Sequence, residues 1–133
     1  MKRIYLHLNS RDEFLRIDIS KIAYFEADGN YTSIVLSNGL KGVVCMNLSK
    51  IQQVLTDRLK EQAAIFIRVG KSFIINRLYV CQINVLRQVL VLSDGVNFVF
   101  NLNISRDALK KLKDLCLLSC NVQFENAVES ESK

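Results

Sequence analysis

The stretch Phe66-Ile67-Arg68-Val69-Gly70-Lys71-Ser72-Phe73-Ile74-Ile75-Asn76-Arg77 decides how the chain folds, because a short basic polar knot there breaks two strongly apolar runs. Ile65, Ile67 and Val69 point one way while Phe66 and Arg68 point the other, the period-two alternation of a half-buried strand. Gly70 ends that strand, and Lys71 and Ser72 occupy a tight corner before the second strand begins at Phe73. A flexible cation and a hydroxyl at such a corner can reach outward to a polyanion. An ordinary solvent-facing β-corner uses the same residue types, so the corner alone does not choose between the two. Gly-Lys-Ser also ends a phosphate-binding P-loop, but that motif needs a glycine where Ile65 stands. It also needs a helix to follow, and here a β-branched, aromatic run does.

Working outward from this corner, the chain reads as a meander of hairpins. Ile4 to Leu8 and Phe14 to Ile19 form a first hairpin around Asn9-Ser10-Arg11-Asp12, with His7 as a surface or edge residue. Ile22 to Ala27 is almost continuously apolar, as a covered central strand would be. Asp28-Gly29-Asn30 and Ser37-Asn38-Gly39 are turn signals on either side of Tyr31 to Leu36, and Leu40 to Met46 returns. Leu48, Ile51, Val54, Leu55 and Leu59 recur at three and four residues, a helix with Asn47 or Ser49 as its N-cap. Beyond the corner, Leu78 to Ile83 fits a helical turn or a strand equally. Leu86 to Leu92 reads as a strand, Ser93-Asp94-Gly95 as a hairpin turn and Val96 to Asn101 as its partner. A last helix opens at Ser105, with Ala108, Leu109, Leu112, Leu115 and Cys116 on its apolar face. Its first turn carries Arg106, a cation beside the partial positive charge of a helix N-terminus. An external anion would answer both that arginine and the free backbone N–H groups, although an arginine reaching into solvent satisfies the pattern too.

The 133 residues, 50% hydrophobic and 23% charged, suit one globular domain that needs neither disulfide nor metal to fold. The expected organisation is a domain over residues 1–117 and a flexible acidic tail over 118–133. The net charge of +5 is uneven: residues 1–115 carry 17 Lys and Arg against 10 Asp and Glu, whereas the tail is acidic. A basic body points to a polyanionic partner. No secretory signal and no run of eighteen apolar residues is present, so a cytoplasmic, non-membrane protein is expected. Cys45, Cys81, Cys116 and Cys120 lie mostly in apolar runs and are expected to be reduced and buried or nearly so. His7 is remote from them, so no metal site is expected, and nothing suggests a cofactor.

With these elements in order, the chain resembles the LytTR family of DNA-binding domains over most of residues 3–115. The likeness rests on Ile22-Ala23-Tyr24-Phe25-Glu26-Ala27-Asp28-Gly29-Asn30-Tyr31, the helix after Asn47-Leu48, Phe66-Ile67-Arg68 with Lys71-Ser72-Phe73-Ile74-Ile75-Asn76, Leu92-Ser93-Asp94-Gly95, and Ile104-Ser105-Arg106. Each block is weak alone; their common order and spacing are specific. The resemblance implies a mainly β fold of elongated antiparallel sheets with two short packing helices. It also implies sequence-specific binding of double-stranded DNA by loops placed in successive major grooves. By position, the implied contacts are Asn30, Tyr31 and Thr32, then Arg68, Lys71 and Ser72, then Arg106, with Asn76 supporting the corner. Two departures stand out. Gly70 replaces a histidine usual in the family, and Asn103-Ile104 replaces a proline often found before the Ser-Arg pair.

The expected role is therefore a transcriptional regulator, a response-regulator output domain without its own receiver domain. Its expected partners are double-stranded DNA, a second copy on that DNA and a regulatory protein. The alternative is a protein-interaction module that binds a regulatory partner through its strand edges and basic face. An enzyme is disfavoured: the chain has one histidine and no suggestive carboxylate pair, and Lys71 and Ser72 are adjacent, so in extended backbone their side chains diverge.

Overall fold

The computed structural model describes the backbone of residues 3–131 and the side chains of residues 3–118. Strands β1 (Tyr5–Asn9) and β2 (Phe14–Asp18) form the first hairpin. Strands β3 (Ile22–Asp28), β4 (Tyr31–Leu36) and β5 (Lys41–Val44) form the meander, followed by helix α1 (Leu48–Leu59). The corner stretch supplies β6 (Phe66–Val69) and β7 (Phe73–Asn76). Then come β8 (Val80–Asn84), β9 (Val89–Ser93), β10 (Val99–Asn103) and helix α2 (Arg106–Glu131). All pairings are antiparallel, in sheets of order β1-β2, β5-β4-β3-β7-β6 and β10-β9-β8.

The five-stranded sheet divides two apolar cores, and this explains the uninterrupted hydrophobicity of its central strands. Successive side chains of a strand face opposite ways. Phe25 and Ile74 pack with Leu6, Leu8, Leu48, Ile51 and Leu55, under the first hairpin and α1. Ile75 and Val69 pack on the other side with Leu90, Leu92, Leu102, Leu109 and Leu112, under the three-stranded sheet and α2. A strand covered on both faces has no position left for a polar alternation. Truncating the fully buried Phe25 to alanine would cost roughly 3–5 kcal/mol by loss of burial and the cavity left behind.

Both helix starts form where the sequence places them. The Asn47 side chain accepts from the Lys50 N–H at 2.8 Å, and the Ser105 hydroxyl accepts from the Ala108 N–H at 3.3 Å. Leu78 to Ile83 contains both of its readings, a 3₁₀ turn at Arg77–Tyr79 and then β8. The buried Asn76 holds that junction, donating to the Ile22 carbonyl at 2.9 Å and accepting from the Leu78 N–H at 3.0 Å.

Several expectations need correction. The strand expected from Leu86 begins only at Val89, because Val85–Gln88 is a turn. The partner strand expected from Val96 begins at Val99, because the Asp94 carboxylate gathers the Val96 and Asn97 N–H groups at 2.9 and 2.7 Å and widens the loop. Cys45 and Cys81 are exposed rather than buried: one follows edge strand β5 and the other sits at a register shift in edge strand β8. Cys116 is half-buried, and the side chain of Cys120 lies outside the described residues. Helix α2 is longer than the short element expected.

Candidate nucleic-acid interface

The β6–β7 corner is a three-residue loop, since Val69 pairs with Phe73 and Gly70, Lys71 and Ser72 lie between. Gly70 takes φ +65°, a left-handed conformation that a side chain disfavours. Its position also lies against α2, because a Cβ placed there would stand 3.5 Å from the Ala108 Cβ. Arg68 ties the corner across its base, donating from Nη2 to the Lys71 carbonyl at 3.0 Å and from Nη1 to Gln52 Oε1 of α1 at 3.0 Å. The loss of the usual histidine is thus accompanied by a closed corner. Lys71 and Ser72 themselves are exposed.

The β3–β4 turn lies beside this corner. The Ala27 N–H donates to the Ser72 carbonyl at 2.8 Å, which carries the β3–β7 pairing up to the loop. Asp28 pairs with Tyr31 across Gly29 and Asn30, with positive φ confined to Gly29, the first central position, where a II′ hairpin turn places glycine. Asn30 is exposed and Tyr31 is 49% exposed. Thr32 is placed differently from its two neighbours: it is fully buried, and its hydroxyl donates to the Met46 carbonyl at 2.7 Å.

The third element is the first turn of α2, which packs against Gly70 through Ala108. Arg106 is exposed and donates from Nη2 to the Leu86 carbonyl at 3.2 Å. Between the corner and α2 runs an open cleft of about 700 Å³ whose rim carries Lys71, Ser72, Ser105, Asp107 and Lys111. The fold therefore brings Asn30, Tyr31, Lys71, Ser72 and Arg106 to one end of the molecule, with Arg68 and Thr32 turned inward beneath them. Among the described residues the only ion pair is Arg11 with Asp12, at 3.9 Å, so Lys71 and Arg106 have no carboxylate partner.

Two participants escaped the sequence reading. Gln52 anchors Arg68 from sixteen residues away, a separation no local spacing reveals. The Val85–Gln88 turn was hidden by the apolar Leu86, although Asn84, whose Oδ1 accepts from the Arg87 N–H at 3.0 Å, is a turn-forming residue type. Among the described residues no three metal-ligating side chains come together, and no helix is long and apolar enough to cross a membrane.

An antiparallel β domain that gathers unpaired cations and polar hairpin tips at one end has the makings of a nucleic-acid-binding module. The chain belongs to the LytTr DNA-binding domain family, whose model matches residues 12–116. Its fold is similar to that of the LytTr DNA-binding domain of a protein described as a methyl-accepting/DNA response regulator from Bacillus cereus. That similarity has a TM-score of 0.57 at 21% identity, over 84% of this chain and 95% of the other. No curated protein matches the chain. The family is one of DNA-binding rather than catalytic domains.

Proposed function

We propose that this domain binds double-stranded DNA sequence-specifically and regulates transcription, presenting one edge of the fold to successive major grooves. Asn30, Tyr31, Lys71, Ser72 and Arg106 make the contacts. Arg68 and Thr32, named with them on the family pattern, act by holding the two hairpin tips in place. The observation that carries this reading is the convergence of three polar corners, two of them bearing a cation with no carboxylate partner among the described residues, at one end of the antiparallel fold. Lys71 and Arg106 have donors suited to guanine O6 and N7 or to phosphate oxygens, and Asn30 has both a donor and an acceptor for a base edge. The N–H groups opening α2 add a site for a phosphate. A second copy on an adjacent half-site would extend the contact along the duplex.

The test is retention of a labelled duplex pool across a range of salt. The expected result is a steep fall in affinity, with a log–log slope of about −0.9 for each phosphate neutralised. Failure to retain DNA at low salt would overturn the reading and favour a protein-interaction module.

A further inference from the structure

The turn between β8 and β9, residues 85–88, is fastened at four points. Asn84 Oδ1 accepts from the Arg87 N–H at 3.0 Å, the Gln88 N–H donates to the Val85 carbonyl at 3.2 Å, and the Gln88 carbonyl accepts from the Ile104 N–H at 3.0 Å. The fourth bond is the one from Arg106 Nη2 to the Leu86 carbonyl. Gln88 sits at φ +59°, a conformation that a loosely held loop of ordinary residues would relax. Here the surrounding bonds over-determine it.

This fastening presents two side chains outward, Leu86 at 76% exposure and Arg87. Neither serves a core, and among the described residues Arg87 has no ion-pair partner. Because Arg106 holds the turn directly, a duplex that receives Arg106 in its groove also passes Leu86 and Arg87. Duplex DNA carries about one charge per 1.7 Å of axis, so an arginine beside a groove-entering side chain faces phosphate.

We infer that residues 85–88 form a fourth DNA-contacting element, in which Arg87 takes a backbone phosphate beside the groove read by Arg106 and Leu86 packs on a thymine methyl or sugar. This rests on the DNA-binding reading above and adds a contact to it. The element positions Arg106 as well, because the same turn supplies its carbonyl partner.

The experiment compares wild type, Arg87→Gln and Arg87→Lys on the duplex that wild type enriches from a random-sequence pool, and on a scrambled duplex, across a range of salt. Arg87→Gln is expected to make the salt dependence shallower by about 0.9. It should weaken both duplexes by a similar factor, as loss of a phosphate contact does. Arg87→Lys is expected to restore the slope. A folded Arg87→Gln protein with unchanged affinity and slope would overturn the inference while leaving DNA binding intact. An Arg87→Gln protein that fails to fold would also overturn it, by showing that the side chain serves the fold. Wild type that retains neither duplex would overturn the DNA-binding reading itself, and this inference with it.

Discussion

Arg68 donates to the carbonyl of Lys71 across 3.0 Å, so the cation at the base of the corner fixes the backbone that carries the cation at its tip. A second bond from the same guanidinium reaches Gln52 on α1, which couples the corner to the helix on the far side of the sheet. Arg68→Ala breaks both bonds. It is expected to lower stability by roughly 1–2 kcal/mol, the scale of half-exposed hydrogen bonds to a charged group, and to weaken DNA binding through a loosened corner. Gln52→Ala removes one bond of the two and is expected to cost about half as much. Chemical denaturation of both variants, set beside their DNA affinity, checks the coupling.

Thr32 lies next in sequence to Tyr31 but faces the interior, where its hydroxyl satisfies the Met46 carbonyl. Thr32→Val keeps the shape and deletes the donor. It is expected to destabilise the fold by about 1–3 kcal/mol, the cost of leaving a part-buried carbonyl unpaired. DNA affinity per folded molecule should be nearly unchanged, and a loss of affinity without a loss of stability would return Thr32 to the contact surface.

Asp94 has a carboxyl held down at about 2 by the N–H groups of Val96 and Asn97 and the Asn97 side chain, which outweigh the opposing effect of burial. Since its folded value lies below the ordinary one, its contribution to stability is complete above the usual carboxylate range. That contribution is lost as pH falls from about 4 toward 2. Asp94→Asn retains an acceptor without the titration, so acid unfolding of the variant should be less steep over that interval. Parallel acid titrations of wild type and variant would show the difference.

Among the described residues, every side chain of the two cores lies at or before Cys116. On the proposal that residues 118–133 are an appendage to the domain, a protein ending at Leu117 is expected to keep the fold, the melting behaviour and the DNA affinity. A large drop in melting temperature would show that the segment is part of the domain.

The sequence carried the fold wherever one physical rule acted alone. Alternating runs located β2 and β4, an almost continuously apolar run located β3, the corner glycine located the break between β6 and β7, and Asn47 and Ser105 marked both helix starts through a single capping bond each. It misled where a bond outside the strand ladder, local in one case and long-range in the other, overrode the apolar pattern. Asp94 widens its loop by gathering N–H groups from residues that would otherwise extend β10, and Ile104 holds Gln88 in a turn that an apolar Leu86 disguised as strand. The exposed tips of the interface were legible as polar residues beside glycines. The inward orientation of Arg68 and Thr32 was not, because it depends on partners sixteen and fourteen residues away.

The most direct measurement is selection of bound duplexes from a random-sequence pool at near-physiological salt, run in parallel with wild type and Arg106→Ala. An enriched motif is expected for wild type, and for the folded variant a loss of discrimination at the base pairs Arg106 reads, worth about 1–3 kcal/mol. The same motif recovered with both proteins would contradict a reading role for Arg106, and retention without any enriched sequence would contradict sequence-specific recognition by this edge.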